Sequence, residues 1–131
     1  MENFICYIRS AVESDYPEIK AISRDEGWKS NHRPDYDDAL RNSITLVACD
    51  DIIHGEVVGF ARAITDGYVT IYLCEIIVKP EYRRYGYGKR LIDHLFMLYP
   101  TCRMDLLSQA DEFYQSIGFR IMGNGLRRDN G

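Results

Sequence analysis

Two glycines set among cations are the residues whose types and spacing most clearly imply chemistry. The order is Val78-Lys79-Pro80-Glu81-Tyr82-Arg83-Arg84-Tyr85-Gly86-Tyr87-Gly88-Lys89-Arg90-Leu91. The apolar run Ile76-Ile77-Val78 enters this stretch, and the amphipathic run of Leu91, Ile92, Leu95, Phe96 and Leu98 leaves it. That order reads strand, glycine loop, helix. Glycine lets a backbone approach a ligand closely, and the unpaired N–H groups of a first helical turn favour an anion. Lys79, Arg83, Arg84, Lys89 and Arg90 add five positive charges against one carboxylate, Glu81. The implied chemistry is a cradle for phosphate or pyrophosphate.

Other loops of this kind fail on particular positions. A Walker loop, Gly-x-x-x-x-Gly-Lys-Ser/Thr, aligned on Gly88-Lys89 would require a hydroxyl at Arg90 and a second glycine upstream, at that spacing, which the chain lacks. A dinucleotide fingerprint, Gly-x-Gly-x-x-Gly, would require glycine at Leu91. A nucleic-acid patch stays open, because Tyr82, Tyr85 and Tyr87 interleave with the cations and offer faces for stacking. The whole chain argues against it, with a net charge of −4 from 16 cations and 20 carboxylates, whereas nucleic-acid binders tend to be basic. An acidic body with one basic loop suits a small phosphorylated ligand, and no nucleic-acid partner is expected.

The elements that position the loop follow from periodicity. With 131 residues, 46% hydrophobic and 27% charged, the expectation is a single domain, residues 1–131, with its own core. Strands are expected at residues 4–9, 44–49, 57–64, 69–78, 102–107 and 119–122. Helices are expected from an N-cap at Ser14 with Pro17 in the first turn, over 35–42, over 88–98 and over 110–117, the last closed by Gly118. Tyr16, Ile19 and Ile22 line the buried side of the first helix. Asp66-Gly67 reads as a hairpin turn. Hairpins early and helix–strand alternation later predict an α/β (α+β) fold: a mixed, mostly antiparallel, twisted sheet of about six strands with helices on both faces. A ligand is expected at the carboxyl end of the 69–78 strand, where neighbours diverge.

Cys6, Cys49, Cys74 and Cys102 each lie in or beside an apolar stretch, without Cys-x-x-Cys spacing or a histidine cluster. They read as reduced thiols of a cytoplasmic protein, with no metal site. Neither a signal peptide nor an apolar run of about 20 residues is evident, so no membrane partner is expected.

Two segments together resemble the GNAT superfamily of N-acetyltransferases. Val78-x-Pro80 followed by Arg83-x-x-Gly86-x-Gly88 is similar to its acetyl-CoA loop, and Phe113-Tyr114-Gln115-Ser116-Ile117-Gly118-Phe119 to its Phe-Tyr-x-x-x-Gly-Phe segment. The resemblance implies a sheet splayed at its central strands and acetyl-CoA as co-substrate. The cofactor would be held by Ile76, Ile77 and Val78 and by Arg83, Arg84, Tyr85, Gly86, Tyr87, Gly88 and Lys89, with a strand N–H near Ile77 polarising the thioester. The family's closing hairpin is short or missing here, so one wall of the acceptor site is incomplete or supplied by a partner chain, as in a homodimer.

The implied reaction is direct attack of a primary amine on the thioester. Tyr114 falls on the family's usual general acid. A phenol of pKa about 10 sits about 1.5 units above a thiol of about 8.5, so a strengthening hydrogen bond is a more realistic role than full transfer, which is uphill by about 2 kcal/mol. The competing reading makes Tyr114 a core aromatic. Glu75 interrupts the apolar run of its strand, which is costly for a carboxylate unless it is paired or used. It is the candidate base, or a member of a structural hydrogen-bond network. His54 is a weaker candidate base, and His94 reads as surface. Trp28, Asn31, His32 and Tyr36 are candidates for the acceptor side, although Trp28 equally well caps the core. A small-molecule amine is the expected acceptor. A protein or peptide amine, and a CoA-binding sensor without catalysis, are the alternatives.

Overall fold

A computed structural model describes residues 6–28, 33–51 and 55–131. Its strands are β1 (Tyr7–Ser10), β2 (Ile44–Cys49), β3 (Val57–Thr65), β4 (Thr70–Val78) and β5 (Arg103–Leu106), hydrogen-bonded in the order β1-β2-β3-β4-β5. The first three junctions are antiparallel and β4–β5 is parallel. A parallel junction requires a crossover, which α3 (Tyr87–Leu98) supplies. The other helices are α1 (Tyr16–Asp25), α2 (Tyr36–Arg41) and α4 (Asp111–Ser116). The mixed sheet with helices on both faces is the fold class expected from the sequence.

The sheet separates two apolar clusters. Tyr87, Leu91, Ile92 and Leu95 of α3 pack on Leu46, Ala48, Val58, Ala61, Ala63, Ile71 and Leu73. On the other face, Tyr16, Ile19 and Ile22 of α1 and Tyr36 and Leu40 of α2 pack on Val47, Phe60 and Ile77. The hairpin between β3 and β4 is held by Asp66, whose Oδ1 accepts the N–H groups of Tyr68, Val69 and Thr70 at 2.8–3.1 Å.

Two expectations are corrected. Residues 119–122 are not a strand, and the described residues form five strands rather than about six. Phe119 instead closes α4: its N–H reaches the Tyr114 carbonyl at 3.0 Å and its ring packs on Tyr114, 5.4 Å between centroids. Ser14 does not cap α1, because a 3-10 turn, Glu13–Asp15, precedes that helix. Asp15 carries the junction, accepting the Val12 N–H at 2.8 Å and two bonds from Arg9 at 2.7 and 2.9 Å. The four cysteines are free thiols. No helix among the described residues is long and apolar enough to cross a membrane. The beginning of the first expected strand, Asn31, His32 and His54 lie outside the described residues.

One irregularity sets the position of everything downstream. Thr65 faces Ile71 and Ala63 faces Leu73, but Arg62 faces Glu75, so Cys74 is an extra residue in β4. Such a bulge shifts the side-chain alternation by one. Ile71 and Leu73 therefore face α3, whereas Glu75 and Ile77 face α1 and α2.

Asp15 provides a stability test. Its carboxyl is held below the ordinary range, first by the hydrogen bonds from Arg9, against the opposing effect of burial. A depressed carboxylate stabilises the fold above its ordinary pKa of about 3.9, and that contribution disappears as pH falls through the lower folded value. Asp15→Asn is expected to cost about 1–3 kcal/mol in urea unfolding at neutral pH. The gap from the unsubstituted protein should narrow below about pH 4, and a gap that stays constant into acid would contradict this account.

Candidate functional site

Beyond the bulge, β4 loses its neighbour. Its pairing with β5 covers only Thr70 to Leu73, so Ile76 and Val78 lie on an open edge. The Lys79 N–H bonds the Val58 carbonyl at 2.8 Å, and strand N–H groups alternate in direction. The N–H groups of Ile76 and Val78 therefore point away from β3 into the gap. Ile77, whose side chain is buried against α1 and α2, directs its N–H toward β3. The open-edge donors are thus its neighbours rather than Ile77 itself.

The glycine loop closes one side of the gap. Arg84 and Gly86 adopt left-handed backbone, with φ of 69° and 85°, and α3 starts at Tyr87. The first bond of the helix runs from the Arg90 N–H to the Gly86 carbonyl at 3.0 Å. This leaves the N–H groups of Tyr87, Gly88 and Lys89 without partners within the helix, at its positive end. The loop meets α4 directly, since a Cβ placed on Gly88 would lie 3.1 Å from Phe113 Cζ. The Tyr114 ring stands 5.0 Å from Phe113 and packs on the α3-side cluster with Ile76, Val78 and Leu106. Burial raises the pKa of the Tyr114 phenol, so it is neutral at physiological pH.

The cations of the loop are used unequally. Lys79 bonds Glu18 at 2.9 Å and Glu56 at 3.4 Å. Lys89 bonds Asp93 at 2.7 Å. Arg83 pairs with Glu26 at the end of α1 and bonds the Val78 carbonyl at 2.8 Å. Arg84 and Arg90 form no ion pair among the described residues. The Tyr87 side chain is buried against the sheet, its hydroxyl has no hydrogen-bond partner among the described residues, and burial pushes its pKa up to about 12. Only its N–H is placed toward a ligand. Tyr85 is more than half exposed.

On the other face of β4 lies a pocket of about 600 Å³ lined by residues that include Tyr36, Asp38, Asn42, Arg62 and Glu75. Glu75, 7% exposed, is bonded by Arg62 Nε at 2.6 Å on Oε2 and by Nη2 at 3.0 Å on Oε1. The Tyr36 hydroxyl donates to Oε2 at 2.9 Å. Burial first, then the Glu75 charge, hold the pKa of Tyr36 far above that of an ordinary phenol. Trp28 is half-buried against the α1–α2 cluster. Among the described residues no group of acidic, histidine or cysteine side chains is placed to hold a metal.

The sequence model of the acetyltransferase (GNAT) domain matches residues 41–121. The chain belongs to the GNAT acetyltransferase family. It is similar to histone acetyltransferase TAP1 of Glycine max, 26% identical over 90% of this chain and 57% of the relative. The chain thus spans little more than half the length of that relative. By structure it resembles a GNAT-family acetyltransferase of Streptococcus pneumoniae, with a TM-score of 0.78, 22% identity and 98% of each chain covered. It also resembles aminoglycoside N-acetyltransferase AAC(6')-Iy in complex with CoA, with a TM-score of 0.73, 20% identity and 98% and 97% covered.

On this GNAT scaffold Ile76, Val78 and Tyr114 pack on one cluster, Gly88 meets α4 through Phe113, and Tyr36 and Glu75 line the pocket on the other face of β4. Arg83 and Lys89 are engaged with carboxylates. His94 is half-buried on α3 beside Cys6 and Arg90. Sequence reasoning missed Arg62. The available signal was the same one that marked Glu75: a single charge inside an apolar strand, here Val57-Val58-Gly59-Phe60-Ala61-Arg62-Ala63-Ile64.

The contact between the two GNAT motifs is testable. Gly88→Ala requires the partly exposed Phe113 ring to give by a few tenths of an ångström, which offsets the gain in helix propensity of alanine over glycine. In a Phe113→Leu background the same change should be more favourable, a coupling of about 0.5 kcal/mol or more in a double-mutant cycle by urea unfolding. Strict additivity would show that the loop and α4 are not in contact.

Proposed function

We propose that the chain transfers an acetyl group from acetyl-CoA to a primary amine of a small molecule. The observation carrying this reading is that the open edge of β4 separates a helix-N-terminal anion cradle from a polar pocket of small-ligand size. The residues present fit acetyl-CoA. The N–H groups of Tyr87, Gly88 and Lys89 suit a pyrophosphate, and those of Ile76 and Val78 suit a pantetheine arm added to the sheet as an extra strand. Acetyl-CoA supplies the activated acyl group: the amine nitrogen bonds the acetyl carbon as the carbon–sulfur bond breaks, and CoA departs as the thiol.

The residues of the chain divide the remaining work. An N–H on the β4 edge stabilises negative charge on the thioester oxygen. Tyr114, kept neutral by burial, donates a hydrogen bond that strengthens as charge develops on sulfur. Glu75, with both oxygens already bonded, serves as an anchor for the incoming ammonium rather than as the proton acceptor. Its proton then leaves through the pocket to water. Free thiols fit a reducing compartment such as the cytoplasm.

A protein or peptide amine is the second reading, favoured by the similarity to a histone acetyltransferase. Thiol release measured over a panel of small amines and lysine-containing peptides tests the choice. Faster turnover with small amines is expected, and turnover confined to peptides would reverse the assignment. Tyr114→Phe should lower kcat by about 100-fold while leaving the thermal stabilisation by CoA intact. No basic limb from Tyr114 is expected below about pH 10, because its pKa is raised above the ordinary value. Unchanged turnover in Tyr114→Phe would make the side chain structural.

A further inference from the structure

Arg62 and Glu75 form the most enclosed ion pair among the described residues, with side chains 17% and 7% exposed. Each of the three guanidinium nitrogens donates one hydrogen bond. Nε and Nη2 hold the two Glu75 oxygens at 2.6 and 3.0 Å, and Nη1 donates to Ser43 Oγ at 3.2 Å. The cation also sits 5.7 Å from the centre of the Tyr36 ring. Burying such a pair is seldom better for stability than packing apolar side chains of equal volume, so stability alone gives no reason for it.

A carboxylate offers about four acceptor positions. On Glu75, Oε2 has two filled, by Arg62 and Tyr36, and Oε1 has one filled, by Arg62. Among the described residues one position is left, on Oε1, in a carboxylate that lines the pocket together with Arg62. We propose that Arg62 is the positioning residue of the acceptor site: its two-pronged grip fixes Glu75 so that the remaining Oε1 position receives an N–H of the acceptor ammonium. The inference rests on the proposed amine acetylation and names how that site recognises its substrate. The acceptor is selected as an N–H-bearing cation, and a quaternary ammonium of the same shape is excluded. Lysine cannot replace Arg62, because a point charge does not hold both oxygens in one plane.

The test compares butylammonium with butyltrimethylammonium, which carries the same charge and chain without an N–H. Thermal shifts are read in the presence of CoA for the unsubstituted protein, Arg62→Lys and Glu75→Gln. The double variant Arg62→Met with Glu75→Gln serves as a charge-neutral pocket should a single variant fold poorly. Butylammonium, but not the quaternary ion, should raise the melting temperature of the unsubstituted protein, and the difference should vanish in Arg62→Lys, Glu75→Gln and the double variant. All of them should keep the shift produced by CoA. In thiol release with butylamine, Arg62→Lys should raise the KM for amine by about 10- to 100-fold, the loss of one charge-assisted hydrogen bond, with the KM for acetyl-CoA unchanged. Added guanidinium should restore part of the amine affinity of Arg62→Ala. Equal shifts from the two cations, retention of the difference in Arg62→Lys or the double variant, or a parallel loss of CoA binding would each overturn the proposal. Absence of any CoA shift in the unsubstituted protein would instead overturn the reading of the site as an acetyltransferase centre.

Discussion

The site depends on a change of pairing within one strand. β4 is fully laddered to β3, but its pairing with β5 stops at Leu73, and Cys74 is inserted directly afterwards. The two events have complementary effects. The end of the β5 ladder leaves Ile76 and Val78 with backbone groups facing a gap, where an extended ligand arm can pair. The insertion turns Glu75 away from the α3-side core, toward Tyr36. In the proposed reaction one strand thereby serves a cofactor along its edge and an acceptor on its face, within the four residues Glu75 to Val78.

The gap is held open by packing on both sides. α3 is anchored by Tyr87, Leu91, Ile92 and Leu95, which fixes its N-terminus beside the end of β4. α4 is only six residues long, too short to be stable alone, and is held by Phe113 against Gly88 and by Tyr114 and Phe119 against each other. Absence of a side chain at Gly88 therefore lets the Phe113 ring approach α3 closely. At Gly86 the demand is different: nothing crowds its missing Cβ, and the constraint is the left-handed backbone. Arg84 shares that backbone region without being glycine, at a cost of order 1–3 kcal/mol, which the surrounding turn must offset.

Much of the scaffold was legible because periodicity and burial agree. Residues 44–49 are a short, nearly unbroken apolar run, as suits a strand buried on both faces, and 88–98 carry the apolar stripe of a helix; the observed elements are Ile44–Cys49 and Tyr87–Leu98. Phe119 misled for the converse reason. A β-prone residue after glycine resembles a strand start, yet strand formation needs a neighbour, and Phe119 finds its contacts on Tyr114. The loop was legible as an anion cradle, but not the fate of its charges. Nothing local in the sequence places Glu18, Glu56 and Glu26 beside Lys79 and Arg83. The Arg62–Glu75 pair was hidden by register. Continuing the regular pairing of Thr65 with Ile71 sets Arg62 opposite Cys74 and turns Glu75 to the other face. Only the extra residue brings the opposite charges together.

That concealment bears on how a buried ion pair should be read. A charge inside an apolar strand conflicts with its surroundings, and two such conflicts of opposite sign on adjacent strands can cancel if the register permits. In β3 and β4 the regular register does not permit it, so the bulge and the ion pair are physically linked. Without the bulge, Glu75 would enter the α3-side apolar cluster without Arg62; without Arg62, the bulge would deliver an uncompensated carboxylate to the pocket. Local rules fail in the same few residues where the edge opens and the pocket begins, which is where a functional site is expected to depart from a self-consistent scaffold. The pinned carboxylate follows from the insertion at Cys74 and the open edge from the end of the β5 ladder at Leu73; in the proposed reaction the second presents an acyl donor and the first orients an amine toward it.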